Sequence, residues 1–331
     1  MTTRAPALSV VVVAYDQDRE LPRTLRSLGA SHQRLSDPGG YEVIVVDNGS
    51  TRPVAEALPP DLAAVVRVHR IEAGSASASP ARAANIGIGM AQGDVIGLVI
   101  DGARMASPGL LSAALLATQL DSAAIVTAPA WHLGPDLQAR SSEAGYDQVV
   151  EDDLLEHTDW EADGYALFSI AVPAASSGRG LFRPMGESSS LFLHRRTWSE
   201  LGGLDERFEL PGGGLVNHDL YHRACALDGA KLVVLLGEGT FHQIHGGAAT
   251  SGRVTREEMR SEYQAIRGAS HRPPSNIPLY VGSVPWQYLP YLSASVSMAE
   301  GREPLREPRD EAIPWLSAEV ADVEPGKHRH E

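Results

Sequence analysis

Asp101 closes a run of apolar residues, Val95 to Ile100, and is followed by Gly102, Ala103 and Arg104. A short β-favouring run bounded by turn signals reads as a buried strand, so the carboxylate stands where that strand ends. In parallel α/β sheets ligands gather at the carboxyl ends of strands, above all where the strand order reverses. A charged substrate held on that rim is one reading of Asp101; a residue that caps a turn is the other. Two more carboxylates end apolar runs in the same way, Asp16 after Leu8 to Tyr15 and Asp47 after Tyr41 to Val46. Further on, His242 and His245 stand in His-x-x-His spacing within a glycine-rich loop, GEGTFHQIHGG, from Gly237 to Gly247.

These groups must be positioned by a regular frame. LSVVVVAY (8–15) is a continuous β-branched run, suited to a central parallel strand buried on both faces. YEVIVV (41–46) is a second strand, and Val65 to His69 a third. Helices are expected over Arg19 to Leu28, over Ala81 to Ala91 with Arg82 and Asn85 near its start, and after Pro108. Ala123 to Thr127 is another strand. The alternation implies a mostly parallel sheet with helical crossovers. From Ala130 to Pro184 the pattern weakens and turns acidic around Glu151-Asp152-Asp153, a solvated surface or an acceptor-site lid. Regularity returns with a strand over Ser188 to His194, a helix over Arg195 to Leu201, a helix over His218 to Leu227 and a strand over Lys231 to Leu236. Thr255 followed by Glu258 has the form of a capping box opening a helix to Ile266. The chain beyond Gly268 is rich in Pro, Ser and charge, and an irregular tail is expected at its end.

Composition bounds the function. The 331 residues are 43% hydrophobic, enough for a large α/β core, and the formal net charge is −14. Such a chain suits neither nonspecific nucleic-acid binding nor an anionic membrane, although a local basic pocket for phosphate is compatible with it. Cys225 is the only cysteine, which excludes an intrachain disulfide and a cysteine zinc cluster. Neither a signal peptide nor a membrane-spanning run is evident, so a cytoplasmic protein without an integral membrane segment is expected.

Four stretches fall into one pattern: VVVVAYD ending at Asp16, VVDNGS (45–50), ARAANIGIGMAQGDVIGLVID (81–101), and LGGLDERF with HDLYHR (201–208 and 218–223). Together they resemble the inverting glycosyltransferases of family 2, which have the GT-A fold. The resemblance implies a mostly parallel sheet flanked by helices, with a Rossmann-like nucleotide-binding half over 1–130. It further implies a variable acidic segment over 131–186, an acceptor-side half over 187–268 and a Pro-rich extension over 269–331. It implies a hexosyltransferase-like enzyme that takes a UDP-, GDP- or dTDP-sugar donor and a small-molecule or glycan acceptor; an oligomer is compatible with it. Ala14, Tyr15, Asp16 and Asp47 would meet the nucleoside. Arg82, near a helix N-terminus, would meet the pyrophosphate, and Asn85 would hold the loop or touch the donor.

The chain departs from that pattern twice. The family's acidic metal motif keeps only Asp101; Ala103 and Arg104 occupy the positions that follow. Either Asp101 with His242 or His245 forms a reduced site for a divalent cation, Mn or Mg, or the Arg104 guanidinium grips the diphosphate without metal. The second departure concerns the base that takes the acceptor's proton. Aligned on Asp219-Leu220 and Arg223, the family's Glu-Asp pair falls on Val216 and Asn217. Asp219 or His218 is the expected substitute, with Asp219 as a helix cap the alternative. A catalytically silent GT-A domain that binds a nucleotide or a partner protein competes with the transferase. A nucleotidyltransferase would want a lysine-bearing glycine loop after the first strand, and DQDREL (16–21) does not supply one.

Overall fold

The computed structural model describes residues 5–35, 40–177, 181, 185–246 and 254–299. Twelve strands form among them: β1 (Leu8–Ala14), β2 (Tyr41–Asp47), β3 (Arg67–Arg70), β4 (Val95–Val99), β5 (Arg104–Ala106), β6 (Ala124–Thr127), β7 (Ala130–Leu133), β8 (Ala171–Pro173), β9 (Ser190–His194), β10 (Lys231–Leu235), β11 (Thr240–His242) and β12 (Leu279–Val281). Eight of them make one sheet in the order β12-β10-β6-β9-β4-β1-β2-β3. All its pairings are parallel except those of β9, which runs antiparallel between β4 and β6.

The unbroken β-branched run of β1 is buried along its whole length because helices cover both sheet faces. Its side chains alternate, Val11 and Val13 entering one core cluster and Leu8, Val10 and Val12 the other. Gly97 of β4 lies opposite Phe192 of β9, and a Cβ there would collide with the Phe192 ring, so the antiparallel strand packs closely only over glycine. The strand order turns back at β1: β2 and β3 lie on one side of it and β4 on the other. The carboxyl ends of β1 and β4 therefore frame a switch-point crevice.

Over this crevice lies a second sheet, ordered β5-β11-β7-β8. Its strands are only three or four residues long and fall in segments that lack sustained periodicity. The expected glycine-rich loop thus contains a strand, β11. The expected weak region holds β7 and β8, helices at Gln138–Glu143 and Gln148–Glu156, and a 3-10 segment at Gly164–Ile170. Its acidic residues are not all solvated: Glu151 is fully buried. The capping box of Thr255 and Glu258 is present on the helix Arg256–Arg267. Residues 36–39 and the expected irregular tail at the end of the chain lie outside the described residues. Among the described residues no helix is long and apolar enough to cross a membrane.

Candidate active site

The crevice between β1 and β4 is bridged by one carboxylate. Asp101, just past β4, accepts at Oδ1 from the Gln17 amide at 2.5 Å and from the Ala103 N–H at 3.0 Å. Its Oδ2 lies 2.9 Å from His242 Nε2 and 3.3 Å from His245 Nε2, and the two imidazole nitrogens are 3.0 Å apart. The small sheet brings them there. Antiparallel pairing sets His242 of β11 against Arg104 of β5, and parallel pairing sets it against His132 of β7. The loop beyond β11 is fixed from behind. The Ile244 N–H donates to Glu151 at 2.8 Å, and Arg19 donates to the Ile244 carbonyl at 3.2 Å and pairs with Glu151 at 3.2 Å. Burial pushes the Glu151 carboxyl up to about 7, with the Ile244 N–H and Arg19 pulling the other way.

Charge at the site is concentrated and poorly hydrated. Burial works against ionising Asp101, but the two imidazoles outweigh it and hold the carboxyl well below its usual range. His242 is driven down to about 4 by burial and by the Arg104 charge. His245 moves up, because Asp101 more than offsets its burial. Arg104 has Nε and one terminal nitrogen buried without any hydrogen-bond partner. Donors placed so suit the oxygens of an anion.

The geometry of the donor set fits a divalent cation. With bonds of about 2.1 Å, neighbouring ligands of an octahedral ion lie about 3.0 Å apart. The three mutual distances, 2.9, 3.0 and 3.3 Å, match one face of such an octahedron. Two imidazoles and a carboxylate on one face suit Mn or Mg less exclusively than a set of oxygens would, yet they fit a divalent ion that keeps its other positions for substrate oxygens.

Other expected residues fall into two groups. At the ends of β1 and β2, Ala14 is paired with Asp47, and the Tyr15 ring is 58% exposed. Asp16, at φ +48°, accepts from the Thr51 N–H at 2.7 Å, so it ties the two strand ends together. Asp47 is fully buried and saturated: Oδ1 accepts from the Ser50 N–H at 2.8 Å, and Oδ2 from the Val54 N–H at 3.1 Å and Arg70 at 2.7 Å. It shapes the loop after β2, with both oxygens engaged. Arg82 donates to the Ser75 carbonyl at 2.7 Å. Asn85 exchanges hydrogen bonds with the Leu204 backbone at 2.8 and 3.0 Å, clamping the Gly202-Gly203 turn. Gly203 has φ +73°, and a Cβ there would strike the Asn85 amide, which explains the glycine.

On the opposite wall, the helix Val216–Cys225 carries His218 and Asp219. Asp219 is 1% exposed and locked between two guanidiniums, with Arg223 Nε at 2.8 Å and Arg267 at 2.5 and 2.7 Å. Both its oxygens are engaged, against the expectation that it takes a proton; it ties this helix to Arg256–Arg267. His218 turns Nδ1 toward Glu187 at 3.6 Å, and Asn217 donates to the same Glu187 oxygen at 3.3 Å. Burial favours a neutral Glu187, but the nearby His218 and Arg104 charges hold its carboxyl below the usual range. Sequence reasoning missed Glu187. The only signal was an isolated carboxylate in MGESSS (185–190), ahead of β9.

Comparison with known proteins bears on this geometry. The model of glycosyl transferase family 2 matches residues 9–134, the stretch that builds the crevice and carries Asp101 and Arg104. This segment is similar to family 2. Among solved structures, TarS 1-349 from S. aureus in complex with UDP-GlcNAc aligns with a TM-score of 0.51 at 15% identity, over 78% of this chain and 65% of that one. Mannosyltransferase PcManGT from Pyrobaculum calidifontis, solved in complex with GDP-Man and Mn2+, aligns with a TM-score of 0.49 at 16% identity, over 89% and 70%. At 15% identity the likeness to TarS is one of fold, and the fold is that of GT-A glycosyltransferases. The aligned region spans 65% of the TarS fragment and 42% of the longer TarS structure. No curated protein matches the chain.

Proposed function

We propose that the protein transfers a hexose from a nucleoside diphosphate sugar to the hydroxyl or amine of an acceptor, with inversion at the anomeric carbon. One observation carries the reading. At the switch point of a family 2 fold, the unpartnered guanidinium of Arg104 and the Asp101–His242–His245 triad converge on the place where a diphosphate would lie. The nucleoside rests between the strand ends, with the exposed Tyr15 ring offering its face to the base and the Asp16–Thr51 and Asp47–Ser50 contacts fixing the loop beneath. Arg82 stands at the edge of this subsite, free to exchange its carbonyl contact for phosphate.

Asp101, His242 and His245 would hold a divalent cation, Mn or Mg, which when bound supplies positive charge to the departing diphosphate. Arg104 supplies a second, permanent charge from the chain itself, aimed at oxygens whose charge grows as the sugar leaves. Gln17 keeps Asp101 turned into the crevice. His218 stands on the acceptor wall opposite.

A silent nucleotide-binding domain is the second reading, favoured by one observation: Asp219 is saturated by arginines and the residue two before it is Asn217. The experiment that separates the two incubates the protein with UDP-, GDP- and dTDP-sugars and Mn2+, starting with UDP-GlcNAc, and follows both binding and nucleoside diphosphate release. Binding with release supports the transferase, and binding without release the silent domain. No binding of any donor removes both readings.

A further inference from the structure

The second residue of the helix Val216–Cys225 is Asn217 and brings no carboxylate, yet one lies beside it in space. It comes from another element, the lead into β9. Glu187 Oε2 lies 3.3 Å from the Asn217 amide and 3.6 Å from His218 Nδ1. Two acids on this wall are held in ion pairs. Asp219 is consumed by Arg223 and Arg267, and Asp205 by Arg207 and Arg267. Glu187 forms no ion pair with any Arg or Lys among the described residues, and about a fifth of its side chain is open to solvent. The Arg104 charge also acts on it.

We propose that Glu187 is the general base of the transfer, the carboxylate having been moved from the helix start to the opposing loop while Asn217 remains as its hydrogen-bond donor. The inference rests on the transferase reading above. In the step it assigns, the acceptor oxygen forms a bond to the anomeric carbon as the carbon–oxygen bond to the diphosphate breaks. The acceptor proton passes to a Glu187 oxygen, and the bonding pair leaves with the diphosphate toward Arg104. Nothing is oxidised or reduced. A carboxylate suits the task because it is ionised at neutral pH without assistance, whereas the Asn217 amide has no basic lone pair to offer. The Asn217 contact orients Oε2, and Ser176 also favours the ionised carboxylate that the incoming hydroxyl would approach. His218, whose Nδ1 lies 3.6 Å from the same oxygen and outside hydrogen-bond reach, is then a positioning residue that acts on the carboxylate by proximity.

The test is a set of isosteric and swapped variants assayed with the sugar nucleotide that the wild type turns over, measuring nucleoside diphosphate release and donor Kd in parallel. Glu187→Gln lowers kcat at least about 1,000-fold while donor Kd stays within threefold, a size expected when base catalysis and its electrostatic support are lost together. Adding Asn217→Asp to Glu187→Gln returns a carboxylate to within reach of the same point and raises kcat at least tenfold over Glu187→Gln alone. A merely structural glutamate would not be rescued from that position. His218→Gln lowers kcat less than Glu187→Gln does. Glu187→Gln with wild-type kcat overturns the proposal and leaves the transferase reading intact. So does a loss of donor binding equal to the loss of kcat. A deficit in His218→Gln as deep as that in Glu187→Gln, with no rescue by Asn217→Asp, gives the proton to the imidazole and overturns it as well. A wild type that binds no donor removes the transferase reading itself, a failure visible before any variant is made.

Discussion

Replacing Arg104 with methionine should move stability and binding in opposite directions. Two of its nitrogens are buried without partners, and methionine fills similar volume without needing any. A buried donor left unsatisfied costs about 1–3 kcal/mol, and more when charged. Because the residue as a whole is only partly buried, we take the low end, and the ligand-free variant should be about 1 kcal/mol more stable than the wild type. For a domain of this size that is a rise in Tm of about 2–4 °C. Nucleoside diphosphate binding should weaken by about 2–4 kcal/mol, or roughly 30- to 1,000-fold, because charge-assisted hydrogen bonds contribute about 1.5–3 kcal/mol each. Differential scanning fluorimetry of the free protein reads the first quantity, and isothermal titration with UDP and GDP, with Mn2+ and with EDTA, reads the second. The result that refutes the reasoning is a lower Tm together with unchanged affinity. That would make Arg104 a structural cation with a partner of its own.

The remaining predictions concern the groups around it. Asp101→Asn should keep the Gln17 contact but abolish the Mn2+-dependent part of nucleotide binding, seen as titration curves that no longer differ between Mn2+ and EDTA. Asp219→Asn should lower stability by about 2–4 kcal/mol, because it strips a buried carboxylate from two guanidiniums; thermal melts check this, and an unchanged Tm would contradict the locking role. His132 accepts the Gln138 N–H at Nδ1 at 2.9 Å, and burial with the nearby His242 and Arg104 charges drives it down to about 3. Its folded pKa is depressed, so its contribution is fully present above an unfolded value near 6.5 and is lost as pH falls from there toward 3. The loss reaches about 2 kcal/mol at pH 5. His132→Asn, which can accept the same N–H without titrating, should therefore lose about 2 kcal/mol less than the wild type between pH 7.5 and pH 5 in urea melts.

Much of the frame was legible because each central strand is a contiguous apolar run that ends in a polar residue. Leu8–Ala14, Tyr41–Asp47 and Val95–Val99 lie within a residue or two of their expected bounds. Asp101 was legible as a rim residue for the same reason. The second sheet was not. Strands as short as Arg104–Ala106 and Thr240–His242 carry too few residues for a period, and their pairing across long sequence separations is decided by tertiary contact. That sheet nevertheless decides which residues meet at the site. Asp47 and Asp219 show the converse limit. A strand-end or helix-start aspartate looks the same in sequence whether it faces a ligand or a buried arginine, and here Arg70 and Arg267 come from elements remote in sequence. Glu187 escaped because its partners, Asn217 and His218, lie on a different element, and no spacing links it to them.

The account stands or falls on what the rim of β1 and β4 binds. Crystals grown with Mn2+ and a nucleoside diphosphate, with data collected at a wavelength where manganese scatters anomalously, report this directly. The account predicts one manganese peak at bonding distance from Asp101, His242 and His245, with diphosphate density against Arg104. Manganese and diphosphate bound together elsewhere, with the triad still closed on itself, would contradict it.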